Sequence, residues 1–256
     1  MSAVEKPARR RRRWPWVLAA LVLVIAVAAV IAEIAVRQYV ASTVRERIGA
    51  ALQMDDPSSL DVDLGGTPVL LQLTDARLDR VRVSTEQLAV GEVVGTGEVV
   101  VTDVPIDAAQ PLGSLELTVS ADEENVQRLS RYLSGVDLDS VELVDDAIRV
   151  GTDIDLAFVT LPVALDLRPS ASAGAVAFEP TAVVVADRSI AIPDLTAVPG
   201  LGPVVDDLLT SQTVCIADRI PADLSLESVD VIDGRLVVRV SGDGAVLADL
   251  ETTGTC

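Results

Sequence analysis

The pattern of apolar and polar residues changes twice along the chain, and each part predicts a different kind of element. An uncharged apolar run extends from Trp14 to Ala32 and directly follows five consecutive arginines, Arg9 to Arg13. From Arg37 to Met54, apolar residues recur every three or four positions, which is typical of an amphipathic helix. From Leu60 onwards, apolar and polar residues mostly alternate, which is typical of antiparallel strands with one face in water.

The apolar run is long enough to cross a lipid bilayer. Its nineteen residues extend about 28 Å as a helix at about 1.5 Å per residue, close to the thickness of the hydrocarbon layer. The arginines favour a cytoplasmic N-terminus, because loops rich in positive charge stay on that side. We therefore predict a basic cytoplasmic tail at 1–13, a transmembrane signal anchor at 14–36 and an extracytoplasmic, periplasmic domain at 37–256.

Two other interpretations of the run stay open. A secretory signal also begins with basic residues, but its apolar region is usually shorter and ends at a small-x-small cleavage site. Here Ala26, Ala28 and Ala29 lie inside the apolar run, which favours an uncleaved anchor. The other interpretation is a buried core helix, which does not cross a membrane.

Turn residues divide the rest of the chain into short predicted elements. One helix is predicted from Asp122 to Leu133, with Ser120 and Glu123 as a capping box and Gly135 after its end. A turn-rich loop and a short helix are predicted at 193–203 and 204–209. The predicted strands are 69–73, 78–83, the pair 88–90 and 99–101 around a turn region at 91–97, 115–119, 158–167 and 176–186.

Two further segments resemble each other. Leu138–Asp146 and Leu226–Gly234 are separated by 88 residues, and each is followed by a returning strand. Asp233-Gly234 is among the best sequences for the type I′ turn of a two-residue hairpin. We expect one hairpin design that is used at two places in one sheet.

Composition favours a mainly β domain and argues against one class of partner. Half of the residues are apolar, and these are mostly Val, Leu, Ile and Ala, with only two Phe and two Tyr. Branched aliphatic side chains suit strands that are packed on at least one face. After Val36 there are fourteen arginines and no lysine against thirty-seven acidic residues, a net charge of −23. Because such a surface repels phosphate backbones, we predict no nucleic-acid partner.

The available residue types restrict the possible chemistry. The chain has no histidine, which excludes Ser-His-Asp and Cys-His mechanisms and histidine-based zinc sites. Three acid-x-acid pairs resemble the metal-holding motif of glycosyltransferases, but their spacing also places two carboxylates on the wet face of a strand, which we favour. These pairs are Asp61/Asp63, Asp137/Asp139 and Asp153/Asp155. A carboxylate-based glycosidase stays open as an alternative. We predict a protein that is not an enzyme and uses no metal or cofactor.

The two cysteines, Cys215 and Cys256, are expected to form a disulfide. Both lie in the predicted exported region, where an oxidising compartment allows a pair to persist. Closing a loop of about forty residues is worth roughly 3–4 kcal/mol in the chain-entropy model. The alternative is two free thiols.

The remaining function is binding of apolar molecules. A β-rich domain with aliphatic side chains on one face can fill its core completely or leave an elongated cavity. Acyl chains suit such a cavity, because each buried CH₂ contributes about 0.8 kcal/mol and needs no directional partner. Composition does not choose between a filled core and a cavity.

After the basic tail and the single span, five segments follow in a distinctive order: Val44–Leu52, Pro68–Leu73, Ala76–Val83, Ile220–Leu226 and Val229–Val238. They are structural motifs without a catalytic signature. In this order they resemble the LmeA-like phospholipid-binding family of actinobacterial cell envelopes. The likeness covers nearly the whole exported region.

This resemblance implies a fold and a role. The implied fold is α+β: an N-terminal transmembrane helix, then a strongly curved antiparallel sheet that wraps around a long helix as a TULIP-like elongated barrel with an apolar cavity. The implied partner is a phospholipid, and the implied role is support of envelope lipid or lipoglycan metabolism. Membrane attachment is expected through Trp14 to Val36. The alternative is a non-catalytic envelope scaffold whose filled β core binds a protein partner.

The candidate lipid-binding residues come from the apolar pattern and not from the family. Each lies either on the apolar stripe of a predicted helix or at an inward position of a predicted strand. At such positions they either line a cavity or belong to an ordinary core. They are Val40, Val44, Ile48, Leu52, Leu129, Leu133, Val163, Leu165 and Leu167.

Overall fold

A computed structural model describes residues 14–51, 56–90, 93–134, 140–156, 159–185, 188–196, 212–246 and 252–256. Within these residues the chain forms four α-helices and twelve strands. The helices are α1 (Trp14–Ala51), α2 (Val69–Gln72), α3 (Glu123–Ser134) and α4 (Ile192–Thr196). The strands are β1 (Asp61–Asp63), β2 (Arg77–Val90), β3 (Val93–Pro105), β4 (Ser114–Ala121), β5 (Ser140–Val144), β6 (Ala147–Leu156), β7 (Val159–Ser172), β8 (Ala175–Val185), β9 (Arg188–Ala191), β10 (Gln212–Cys215), β11 (Ser225–Ile232) and β12 (Arg235–Asp243).

Helix α1 joins the apolar run and the amphipathic segment into one continuous helix. The large apolar side chains from Val17 to Ile34 are exposed, and none of the most apolar eighteen-residue window is buried. The interpretation as a buried core helix is therefore wrong for these residues. By length and composition, the helix qualifies as a membrane span or a signal sequence.

The strands form two antiparallel sheets. The first sheet has the order β1-β2-β3-β4-β12-β11, and the second has the order β10-β8-β7-β6-β5 with β9 also paired to β8. Among the described residues, neither sheet closes on itself, so the predicted elongated barrel is wrong for this part of the chain. The α+β class is confirmed, and the wrapping of a curved sheet around a long helix stays a prediction.

Three hydrophobic clusters hold these layers together. The first lies between α1 and the β1–β2 edge, where Leu64 and Val69 are almost completely buried. The second joins Val126 of α3 to both sheets, through Val141 and Ile148 on one side and Val231 on the other. The third lies at the start of β4, around Leu112 and Leu115. The two sheets therefore share one core region around α3.

Several predicted elements are confirmed close to their expected bounds. Helix α3 begins one residue after the predicted start, and its N-cap is Asp122 instead of Ser120. The Asp122 carboxylate accepts the backbone N–H of Asn125 at 3.0 Å, and this bond lowers the pKa of Asp122. Both predicted hairpins form, with positive φ at Asp145 and at the Asp233-Gly234 turn. The predicted Cys215–Cys256 disulfide is present.

Other sequence predictions need correction. Residues Val69–Gln72 form helix α2 instead of a strand. Gly95 and Gly97 lie inside β3 and not in a turn. Position 95 requires a glycine for packing, since an added Cβ would lie 2.7 Å from the carbonyl oxygen of Ser120. The two similar hairpins belong to different sheets and not to one. Most of the loop predicted at 193–203, and all of the helix at 204–209, fall outside the described ranges.

Candidate functional site

The first sheet has an aliphatic face that is continuous across five strands. Directly paired residues of antiparallel strands lie on the same face. One row across the sheet is therefore Val83, Val99, Leu117, Val240 and Leu226. The next row is Thr85, Gly97, Val119, Val238 and Val229. Gly97 is the second residue of this row, and the side chain of Leu88 packs over it, 3.0 Å from where a Cβ would lie.

Helices and the second sheet cover only parts of this aliphatic face. Helix α1 packs on Val81 and Val83 near one edge of the sheet. Helix α3 and the second sheet pack on Val231 and Leu236 near the other edge. Between them, four central aliphatic side chains are half-buried: Val99, Val101, Leu117 and Val119. The first three pack against the third hydrophobic cluster, around Leu112 and Leu115.

We call these four residues, together with Gly97 and Val238, the aliphatic trough. All six are half-buried, and they come from β3, β4 and β12. Its lining contains only aliphatic side chains and a glycine, so it offers dispersion contacts and no directional hydrogen bond. A flexible hydrocarbon chain is the ligand that such a lining suits, since its burial requires contact area and not a polar partner.

The opposite face of the same sheet is chemically different. Ser84, Glu98 and Thr118 alternate with the aliphatic rows and therefore point to the other side. They line an open concavity of about 670 Å³, together with Asp61, Glu86 and Ser120. Three carboxylates in this lining make it unsuitable for an acyl chain, because burial of a charge without a partner is costly.

A second concavity of about 540 Å³ lies near the disulfide. It is bounded by the turn between β7 and β8 and by the segment before β11, with Ala173, Ala217, Ile220, Leu224 and Leu226 in its lining. The backbone N–H groups of Ile216 and Ala217 both donate to the carbonyl oxygen of Gly174, which fixes the disulfide region against this turn. Leu226 also ends the first aliphatic row, so the second concavity borders the edge of the aliphatic face.

The sequence-predicted binding residues fall into three groups. Val40, Val44 and Ile48 pack on the first hydrophobic cluster and are half-buried. The strand positions Val163, Leu165 and Leu167 are half-buried on β7. Leu52 lies outside the described residues, and nothing is described of the side chains of Leu129 and Leu133 in α3.

The three β7 positions lie on the inner face of the second sheet. Leu165 pairs with Val150, and Leu167 pairs with Ile148, which belongs to the cluster shared by the two sheets. They are therefore separate from the stripe on α1, which packs on the other edge of the first sheet. The aliphatic trough was missed by sequence reasoning, although the alternation around Leu115–Val119 gave its β4 part.

Several charged groups of the described residues form ion pairs. On the outer side of the second sheet, Arg149 and Asp166 form a two-pronged ion pair, with distances of 2.7 and 3.0 Å. The hydrogen bonds that Arg149 donates to the Asp166 carboxylate raise the pKa of Arg149 above its usual value. Asp61 and Asp63 are exposed on β1 with Val62 between them, as expected for a solvated strand face. Within the described ranges, no cluster of acidic and cysteine side chains has the arrangement of a metal site.

One protein-family model, described as LmeA-like phospholipid-binding, matches residues 27–241 of the chain. No curated protein and no solved structure shows a match. The family match begins within α1 and ends in β12, so it contains the aliphatic trough and nearly all of both sheets. It confirms the family that the helix and hairpin segments predicted. The chain therefore belongs to the LmeA-like phospholipid-binding family.

Proposed function

We propose that this protein binds phospholipid acyl chains against the aliphatic trough while α1 anchors it to a membrane, and that it catalyses no reaction. The observation that carries the proposal is a partly covered aliphatic face in a chain that belongs to a phospholipid-binding family. The aliphatic trough crosses β3, β4 and β12, and neighbouring strands are about 4.8 Å apart, so the trough extends over about 10 Å across the sheet. This length suits part of an acyl chain.

The location of the domain is part of the same proposal. Five arginines before the apolar helix favour a cytoplasmic N-terminus, which places residues 37–256 outside the cytoplasm. An exported position agrees with the Cys215–Cys256 disulfide, because such bonds persist in oxidising compartments. We propose a role in cell-envelope lipid or lipoglycan metabolism, with the remaining predicted residues on α1, α3 and β7 as further wall positions of a lipid site.

A photoreactive phospholipid tests where the acyl chain lies. The full chain is reconstituted in phosphatidylcholine nanodiscs that contain a phospholipid with a diazirine near the end of one acyl chain. After irradiation, mass spectrometry maps the cross-linked peptides. We expect cross-links in β3 and β4 in addition to those in the apolar part of α1. Cross-links confined to α1 contradict the proposal and favour the non-catalytic scaffold with a filled core.

A matched pair of variants identifies the face that is used. Leu117→Trp fills the trough and is expected to lower the β3 and β4 cross-links several-fold. Thr118→Trp adds the same side chain at the next residue, which is also half-buried but points to the polar face. It is expected to leave these cross-links unchanged. An equal decrease in both variants contradicts assignment to the trough, and Val99→Phe provides a second obstruction if Leu117→Trp does not fold.

A further inference from the structure

Four apolar side chains are exposed together at one end of the first sheet. Leu70, Leu71 and Leu73 belong to α2 and the turn that follows it, with exposed fractions of 36 %, 61 % and 36 %. Ile106 follows β3, is 58 % exposed, and donates its backbone N–H to the carbonyl oxygen of Ala76 at 3.0 Å. This bond holds the two loops side by side. We call these four residues the apolar tip.

The apolar tip is fixed to α1 at the residue where the apolar run ends. Glu33 is the first charged residue after Trp14–Ala32. Its carboxylate accepts the backbone N–H of Val69 at 2.7 Å and that of Leu70 at 3.0 Å. One turn further along the helix, Arg37 donates to the carbonyl oxygens of Gly65 at 2.6 Å and Thr67 at 3.1 Å. Helix α2 is therefore held at the level of Glu33.

We propose that the apolar tip inserts into the interface of the bilayer leaflet from which α1 emerges. This inference rests on the anchor part of the proposed function and not on the lipid site. If Trp14–Ala32 spans the hydrocarbon layer, Glu33 lies at its boundary, and α2 lies at the depth of the lipid headgroups. Apolar side chains at that depth leave water for the boundary of the acyl chains, which is how interfacial helices bind.

The charges near the apolar tip indicate the kind of contact. Asp75 and Asp107 are exposed beside it. Arg77 is already engaged, because it pairs with the Asp103 carboxylate at 2.6 Å and donates to the carbonyl oxygen of Pro111. Attraction of basic residues to anionic lipid therefore does not account for the contact. The tip is expected to enter a bilayer of neutral phosphatidylcholine.

Spin labels measure the depth of the tip in the full chain. Single cysteines are introduced by Leu71→Cys and, separately, by Ile106→Cys, which keeps all three leucines. The native disulfide stays oxidised, which one label per chain verifies. In phosphatidylcholine nanodiscs, the accessibility of each label to oxygen is compared with its accessibility to a water-soluble nickel chelate. Oxygen concentrates in lipid and the chelate in water, so their ratio reports depth.

Two control positions separate the outcomes. Ile232→Cys places a label at the other end of the same sheet, where Ile232 is 40 % exposed. Ile31→Cys places one inside the proposed span. We expect ratios at 71 and 106 that are several-fold above the ratio at 232 and below the ratio at 31. If the ratios at 71 and 106 equal the ratio at 232 while the label at 31 lies in lipid, insertion of the apolar tip is contradicted and the membrane anchor is not. If the label at 31 lies in water, the membrane anchor itself is contradicted. Labels at 71 and 106 that neither reagent reaches indicate a second protein copy on the tip and also overturn it.

Discussion

The two halves of α1 show how one helix can have two different surroundings. From Val17 to Ile31 the large apolar side chains are exposed around the whole helix. From Val36 to Ile48 the apolar residues form one stripe, and this stripe packs on the first hydrophobic cluster. The change occurs at Glu33 and Arg37, which bind backbone groups of the domain. An apolar run without a period therefore predicts a lipid environment, and an apolar stripe predicts a protein neighbour.

We call Val17–Ile31 the free half of α1 and Val36–Ile48 the docked half. The largest expected effect concerns membrane insertion of the free half. Val24→Arg places a charge near the middle of the apolar run and is expected to oppose membrane insertion by roughly 2.5–3.5 kcal/mol. The fraction of chains whose domain is protected from protease in sealed vesicles measures insertion. Gln38→Arg, on the exposed side of the docked half, is the matched control and should leave this fraction unchanged. Equal insertion of both variants would argue against a transmembrane role for the free half.

The next effect concerns the end of the docked half. Gly49 is buried, and a Cβ at this position would lie 2.7 Å from both Cβ and Cγ of Pro57. Gly49→Ala is therefore expected to lower the free energy of unfolding by about 1–3 kcal/mol, although alanine is the better helix former. Gly66→Ala is the control, since no atom lies within 4 Å of its added Cβ. Urea unfolding measures both, and a more stable Gly49→Ala variant would show that the helix does not approach Pro57 closely.

A smaller effect compares the same substitution in the two halves. Val44→Ala removes two carbon atoms from a half-buried side chain of the docked stripe and is expected to cost about 1 kcal/mol of unfolding free energy. Val30→Ala removes the same atoms from a side chain that is 59 % exposed, so unfolding of the domain should not change. Chemical denaturation in detergent gives both values. Equal losses contradict the division of α1 into a free half and a docked half.

The sequence predicts those parts of the fold that depend on nearby residues. The hairpin at Asp233-Gly234 forms because both residues have positive φ, which Gly and Asp adopt more readily than most residues. The local apolar pattern predicts a strand at 69–73, but residues Val69–Gln72 form helix α2. The first backbone N–H groups of this helix donate to Glu33, which lies 36 residues before Val69. The assignment of the two hairpins to different sheets also depends on distant pairing. Such long-range contacts leave no signal in a local period.

In the candidate site too, local patterns along the sequence predict some features, and long-range strand pairing decides the others. The stripe of Val40, Val44 and Ile48 was predicted as apolar from its helical period, and it is packed on the domain. The aliphatic trough requires the register that places Val99 beside Leu117 and Gly97 beside Val119. Alternation within β4 predicts which of its own residues form the apolar face, but it does not predict which strands lie beside β4. An aliphatic face built from several strands therefore becomes visible only when their pairing is known.

The smallest expected effect lies at the junction of the two halves. Glu33→Ala removes the acceptor for the backbone N–H groups of Val69 and Leu70. Leu70 is exposed, and truncation of the Glu33 side chain opens the N–H of Val69 to solvent, so water replaces the carboxylate and the midpoint of global unfolding should barely change. Hydrogen exchange of the α2 amides should instead become several-fold faster, because α2 loses its attachment to α1. Glu33→Gln keeps one side-chain oxygen as an acceptor and should have an intermediate effect. Unchanged exchange in both variants would mean that Glu33 does not hold α2 against α1, and the depth assigned to the apolar tip would lose its structural basis.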